Sequence, residues 1–269
     1  MPITVAAINI YPVKSLAGIS LDFSTCTSRG LQYDRRFMLV DANDEFITQR
    51  EQPLMATIRM AINDATLLFT SPFGDTVSVP LAPPVKSTRA VTVWSSVVQA
   101  HTVSEEANGW LTEYLGMDVR LVYMPDSAER RVSPDYARSG EIVSFADGYP
   151  LLIASEESLA DLNARMVATG GDAVPMNRFR PNMVVRGGEA FAEDTWGEFQ
   201  IGDAIFRCVK PCTRCAITTI DQATGEVRGP EPLRTLANYR DSSNGVKFGM
   251  NLLPVTLGLV RVGDALTLL

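Results

Sequence analysis

Between Ile3 and Val103 the chain is cut into short stretches in which apolar and polar positions alternate. "ITVAAINIY", "GISLDFSTC", "RFMLVDANDEFITQR", "ATLLFTS" and "AVTVWSSVVQAHTV" share this period of two and are rich in β-branched residues, which predicts strands with one face buried. Within the third, "DAND" reads as a hairpin turn, because Asp and Asn bond their own backbone there. The period then changes. "SEEANGWLTEYLG" predicts a helix with Ser104 as N-cap, acids in the first turn and Gly116 beyond its end. Strands in series, with one helix behind them, predict a β-barrel or β-rich domain rather than alternating βαβ units.

From Met124 to Pro150 the pattern lapses into the polar, Pro-containing "MPDSAERRVSPDYARSGEIVSFADGYP", which reads as the stretch between two domains, 1–124 and 125–269. Beyond it, "YPLLIA" predicts an apolar strand, and "SEESLADLNARMVATGG" a helix capped by Ser155 with Leu159, Leu162 and Met166 on one face. Strands follow at "NMVVRG", "GEFQIGDAIFRCVKP" and "CAITTID", then a short helix at "EPLRTLANYR" and closing strands to Leu269. "FQIGDAIFRCV" and "VRVGDALTLL" echo each other as two similar hairpins around Gly-Asp turns.

Composition narrows the function. With 46% hydrophobic and 20% charged residues, the 269-residue chain suits two modest cores or one large one. A net charge of -7 argues against broad attraction to nucleic acid or anionic membrane. No apolar run reaches the ~18 residues of a spanning helix, and "MPITVAAINIYPVKS" lacks the shape of a signal peptide, so a soluble cytoplasmic protein is expected. The single histidine, His101, lies in a strand-like run and reads as structural, which leaves no basis for His-dependent catalysis.

Chemistry gathers at "VKPCTRCAIT", where Cys212 and Cys215 stand three apart with Cys208 just before them. A tetrahedral zinc cage wants four Cys or His ligands, and C-x3-C-x2-C in a strand is a poor start for one. A dithiol–disulfide couple expects the pair to open a helix, whereas β-prone "AITTI" follows. Two idle buried thiols, or one thiolate on a metal held mainly by other ligands, are the remaining readings. The residues alone leave all of these open.

Five motifs occur in one order: "YPVKSLAGISL", "YDRRFMLVD", "FRPNMVV", "FAEDTWGEFQIGDAIF" and "PCTRCAITTIDQATGE". Together they resemble the MOSC family, in the branch where an N-terminal MOSC β-barrel precedes the MOSC domain and which holds the amidoxime-reducing components and bacterial reductases of N-hydroxylated bases. The resemblance covers nearly the whole chain. It implies a mixed, β-rich fold: an N-terminal β-barrel-like domain plus a MOSC β-barrel with a few helices.

It further implies a molybdenum cofactor, the metal held by a pyranopterin dithiolene and by Cys215, with Cys212 not coordinating. A soft thiolate suits a metal that cycles between oxidation states. Around the cofactor the resemblance places Lys14, Ser15, Arg36, Ser155, Glu156, Arg180, Asn182, Thr213 and Arg214. Arginine forks and a helix N-terminus suit its phosphate. In "DRRF" a register off by one would offer Arg35 instead of Arg36. Asp194, Tyr239 and Arg240 are further candidates for organising the pocket. The implied activity is reductive dehydroxylation of N-hydroxylated compounds. Electrons would come from a separate flavin reductase or iron–sulfur protein, since no ferredoxin cysteine pattern or Rossmann glycine fingerprint occurs. A persulfide sulfur carrier and a cofactor-delivery protein are the alternatives.

Overall fold

The computed structural model describes residues 2–269. Its first strands are β1 (Thr4–Ile10), β2 (Ile19–Leu21), β3 (Phe23–Thr27), β4 (Gly30–Leu31) and β5 (Phe37–Val40). The meander β6 (Arg59–Asn63), β7 (Thr66–Thr70), β8 (Thr76–Pro80) follows, then the hairpin β9 (Thr88–Val93) and β10 (Ser96–Thr102). Helix α1 (Glu105–Leu115) starts at Ser104, whose hydroxyl accepts from Ala107 N at 3.2 Å, and ends at Gly116 with φ 67°. After β11 (Arg120–Tyr123) come β12 (Leu151–Ser155), α2 (Glu156–Ala168), β13 (Met183–Arg186), β14 (Glu198–Ile201) and β15 (Ala204–Thr213). The chain closes with α3 (Leu233–Ala237), β16 (Lys247–Thr256), β17 (Gly258–Arg261) and β18 (Leu266–Leu268).

The largest sheet has eight strands in the order β18-β14-β15-β16-β12-β13-β1-β2, so the first twenty-one residues supply one edge of a sheet built mainly from the C-terminal half. Likewise β3 pairs with β17 on one side and β4 on the other. Sequence domains and spatial units therefore cross near the N-terminus. At the centre, β12 is buried at all five positions. It runs parallel to β13 and antiparallel to β16. Its "LLIAS" suits a strand covered on both faces. Ile153 packs with Ile8, Met183 and Phe206 on one side, and Ala154 with Leu162, Phe179 and Phe248 on the other. A separate core, with Leu16, Phe37, Phe69 and Leu111, lies beneath α1.

Two expectations change. "CAITTID" is no strand: Ala216–Thr219 forms a 3-10 turn, with Thr218 N and its hydroxyl both bonding Cys215 O and the Thr219 hydroxyl bonding Ala216 O. Such local hydroxyl–backbone bonds compete with a sheet ladder. The second Gly-Asp echo is not a hairpin, because β17 joins β3 while β18 joins β14. The stretch from Met124 to Pro150, read as lying between two domains, is packed as a strap. Val132, Val143 and Phe145 are buried, and Arg130 donates to the carbonyls of Ser144, Ala146 and Asp147. Among the described residues, no helix is long and apolar enough to cross a membrane.

Candidate functional site

Strand β15 begins the site. Its register with β16 shifts three times, between Ile205 and Phe206, Cys208 and Lys210, and Pro211 and Thr213. Proline has no N–H for the ladder, and such bulges re-aim the side chains that follow. Cys212, Thr213, Arg214 and Cys215 thereby reach one wall of a cleft. The other walls carry Lys14, Ser15 and Arg35 from the N-terminal segment, Asp147 to Tyr149 from the strap, and Phe179, Arg180 and Asn182 from the turn before β13.

Ser15, Arg35 and Arg180 have φ of 68°, 48° and 54°, so three of the eight non-glycine residues with positive φ among the described residues line this one cleft. Left-handed backbone is costly for such side chains and concentrates at functional sites. The two arginines bracket Tyr11, their guanidinium carbons 4.2 and 4.3 Å from its ring centroid. Arg35 is anchored by Asp34, at 2.7 and 2.9 Å, and by Asn182 Oδ1 at 3.1 Å. Arg180 donates to Leu16 O at 2.7 Å and Gln222 Oε1 at 3.3 Å, and burial brings its pKa down to about 10.

At the cleft floor Lys14 Nζ meets Asp147 Oδ1 at 2.5 Å. The lysine is buried, whereas the carboxylate faces the open cleft with 71% of its side chain accessible. Burial lowers the Lys14 pKa, against the pull of Asp147. For Asp147 the surrounding walls favour the neutral acid, but Lys14 outweighs them and holds the carboxyl well below its usual range.

The two thiols at the rim differ. Cys212 Sγ accepts from Arg214 Nη1 at 2.9 Å, while the exposed Cys215 makes no side-chain hydrogen bond among the described residues. Cys215 adopts extended backbone, φ -124° and ψ -179°, just before the 3-10 turn. Arg214 also donates to Phe179 O at 2.8 Å, and its buried Nε has no partner. Cys26 and Cys208 lie elsewhere, and burial pushes both thiols up to about 12. Among the described residues no three His, Cys, Asp or Glu side chains converge to hold a metal, which leaves a zinc cage without donors.

Of the residues expected here, Lys14, Ser15, Arg180, Asn182, Thr213, Arg214 and Cys215 line the cleft. Arg36 does not. Arg35 sits in left-handed backbone just before β5, which turns it inward while Arg36 turns outward to Met124 O and Asp126. Ser155 is spent on capping α2 and on the buried carboxylate Glu193, which also binds Ser158. Glu156 lines a second cavity, on the far side of Arg180. Asp194 and Arg240 pair with each other at 2.5 Å, and neither they nor Tyr239 reach the cleft. His101 sits in β10 against Tyr123. Asp147 and Asn251 went unnoticed in the sequence; an acid in the otherwise apolar "SFADGYPLL" was the available signal for the first.

A β-rich chain thus raises four cations, Lys14, Arg35, Arg180 and Arg214, and two free thiols, Cys212 and Cys215, around a single cleft. Residues 2–118 match the MOSC N-terminal beta barrel domain, and residues 140–267 match the MOSC domain. Mitochondrial amidoxime-reducing component 1 of Mus musculus is 34% identical over 285 residues, covering 99% of this chain and 82% of that protein. The Homo sapiens protein of the same name is 31% identical over 283 residues, covering 99% and 83%. A molybdenum cofactor sulfurase of Oryza sativa subsp. japonica is 32% identical over 262 residues, covering 91% of this chain and 32% of that longer protein. The chain belongs to the MOSC family, in the branch with the N-terminal MOSC β-barrel.

Proposed function

We propose that this protein is a molybdenum-cofactor-dependent reductase of N-hydroxylated compounds. One observation carries the reading: an exposed, unpartnered thiol, Cys215, stands on the rim of a cleft lined by Lys14, Arg35, Arg180 and Arg214. The donor set fits a pyranopterin with phosphate and dithiolene sulfurs. Guanidinium forks suit phosphate and pterin oxygens, the orphaned Arg214 Nε is one donor still to be satisfied, and a thiolate suits a soft metal ion. When bound, the cofactor supplies the two-electron chemistry by which oxygen leaves nitrogen.

The chain's own residues bind, orient and hold protons. Cys215 would hold the metal, and the four cations the anionic frame. Strain at Ser15, Arg35 and Arg180 fixes those donors before the cofactor arrives, which lowers the cost of ordering them. Reduction to an amine or amidine and water consumes two electrons and two protons. Lys14 Nζ is the candidate proton donor at the cleft floor, where Asp147, whose backbone Arg130 clamps, favours its charged form against burial. The electrons come from a separate flavin reductase or iron–sulfur protein.

The test is metal and sulfur analysis of protein purified from a molybdenum-sufficient host, with turnover of an amidoxime driven by a reduced viologen dye. Stoichiometric molybdenum with turnover supports the reading. Sulfane sulfur without molybdenum makes the protein a sulfur carrier, and cofactor without turnover makes it a delivery protein.

A further inference from the structure

Next to the cleft, joined to it through Asp147, a tryptophan occupies a strained turn. Val93 pairs with Ser96, so Trp94 and Ser95 alone join β9 to β10. Trp94 has φ 54° while Ser95 is not among the positive-φ residues. The positive angle thus falls at the first central position, where two-residue hairpins favour glycine. A bulky side chain strains the backbone there, and strain of this kind marks ligand clamps. Nothing in the turn calls for an indole.

Nor is the ring packed away. Trp94 is 43% exposed, and its N–H donates to Asp147 Oδ1 at 3.3 Å, the same oxygen that takes Lys14. Phe46 leans on it with ring centroids 5.0 Å apart and planes at 53°. The Lys14 ammonium lies 5.5 and 5.9 Å from the Phe46 and Trp94 centroids. Over the indole, 4.8 Å from its centroid, rests the guanidinium of the exposed Arg50. That group is a planar conjugated cation, an amidinium with one more nitrogen. A resident of this chemistry, tethered by one bond from its Nε to Thr48 Oγ1 at 3.3 Å, shows what the ring attracts.

We propose that Trp94 and Phe46 form the substrate seat of the cleft. They stack the planar conjugated part of an aryl amidoxime or N-hydroxylated heterocycle, and Arg50 leaves the indole as that group arrives. The proposal rests on the reductase reading and adds to it a substrate class, planar and conjugated in preference to aliphatic.

Reduction of benzamidoxime and of acetamidoxime by viologen-driven enzyme, compared in wild type, Trp94→Gly, Trp94→Phe and Arg50→Ala, tests it. Glycine suits the turn, so Trp94→Gly folds. The ratio of kcat/KM for the aryl over the methyl substrate falls about ten-fold in Trp94→Gly and less than about three-fold in Trp94→Phe, from the worth of an aromatic pair plus its buried area. Arg50→Ala, which removes the competing cation, does not lower the ratio. Independently of turnover, benzamidine quenches tryptophan fluorescence in the wild type and not in Trp94→Phe, where Trp110 and Trp196 remain as reference. An unchanged ratio in Trp94→Gly, or equal quenching in both proteins, overturns the seat. Quenching by benzamidine at Trp94 in a protein that reduces neither amidoxime supports the seat and removes the reductase reading.

Discussion

Arg35→Ala tests how the cleft is held open to anions. The Asp34 side chain is only 1% accessible, and Arg35 is its chief charged partner, with Tyr11 N adding a bond at 2.7 Å. Burial raises the Asp34 pKa, and Arg35 is the strongest influence against that. Removing one member of a buried pair leaves an uncompensated charge, worth about 3 kcal/mol or more. For a chain of this size that is a fall in Tm of roughly 6–12 °C. The sign with pH follows from linkage. A carboxyl whose folded-state pKa is raised stabilises the fold most below its unfolded value and loses that contribution as pH rises through the folded value. Without Arg35 the folded value climbs further, so the deficit of the variant is largest at neutral pH and narrows as pH falls. Urea unfolding of wild type, Arg35→Ala and Arg35→Ala with Asp34→Asn, at several pH values, measures it. The second substitution removes the charge and returns much of the lost stability. A deficit below about 1 kcal/mol, or one independent of pH and unaffected by Asp34→Asn, refutes the reasoning.

Arg180→Ala lowers pterin content about ten-fold or more without unfolding the chain, since a charge-assisted fork to an anion is worth about 1.5–3 kcal/mol; full pterin content with only a lower Tm makes Arg180 structural. In the native metal-free protein at pH 8, iodoacetamide alkylates the exposed Cys215, while Cys26 and Cys208, with thiols pushed up to about 12, stay unlabelled until denaturant is added. Peptide mass spectrometry reads the pattern, and early labelling of Cys208 contradicts it. NADH or NADPH alone does not drive amidoxime reduction, whereas a flavin reductase or iron–sulfur partner does, at a rate that depends on partner concentration and salt; brisk NADH-dependent turnover by the pure protein refutes a separate donor.

Much of this was legible in the chain, and the failures have physical causes. Alternation revealed β1 and β10, and the caps Ser104 and Ser155 stand where periodicity placed them. The pairing of β1 with β13, across more than 170 residues, leaves no local trace. "AITTI" has strand composition, yet its threonine hydroxyls close a 3-10 turn, so propensity lost to local bonding. Arg35 and Arg36 have identical chemistry, and only the turn at positive φ decides which faces the cleft. Ser155 and Glu156 looked suited to an anion at a helix N-terminus, but buried Glu193 already occupies Ser155. Asp147 left only an acid in an apolar run as a signal, because its role comes from Arg130 and Lys14 folding onto its carbonyl and its carboxylate.

The central claim is that one sulfur of the C-x-x-C pair serves a metal and the other does not. It is tested most directly by the molybdenum and pterin content of Cys215→Ser and Cys212→Ser, purified side by side from a molybdenum-sufficient host. The partnerless thiol of Cys215 and the Arg214-bound thiol of Cys212 predict that the first variant loses nearly all its metal while the second keeps most of it. Equal loss in both variants, or metal retained in Cys215→Ser, would contradict the account.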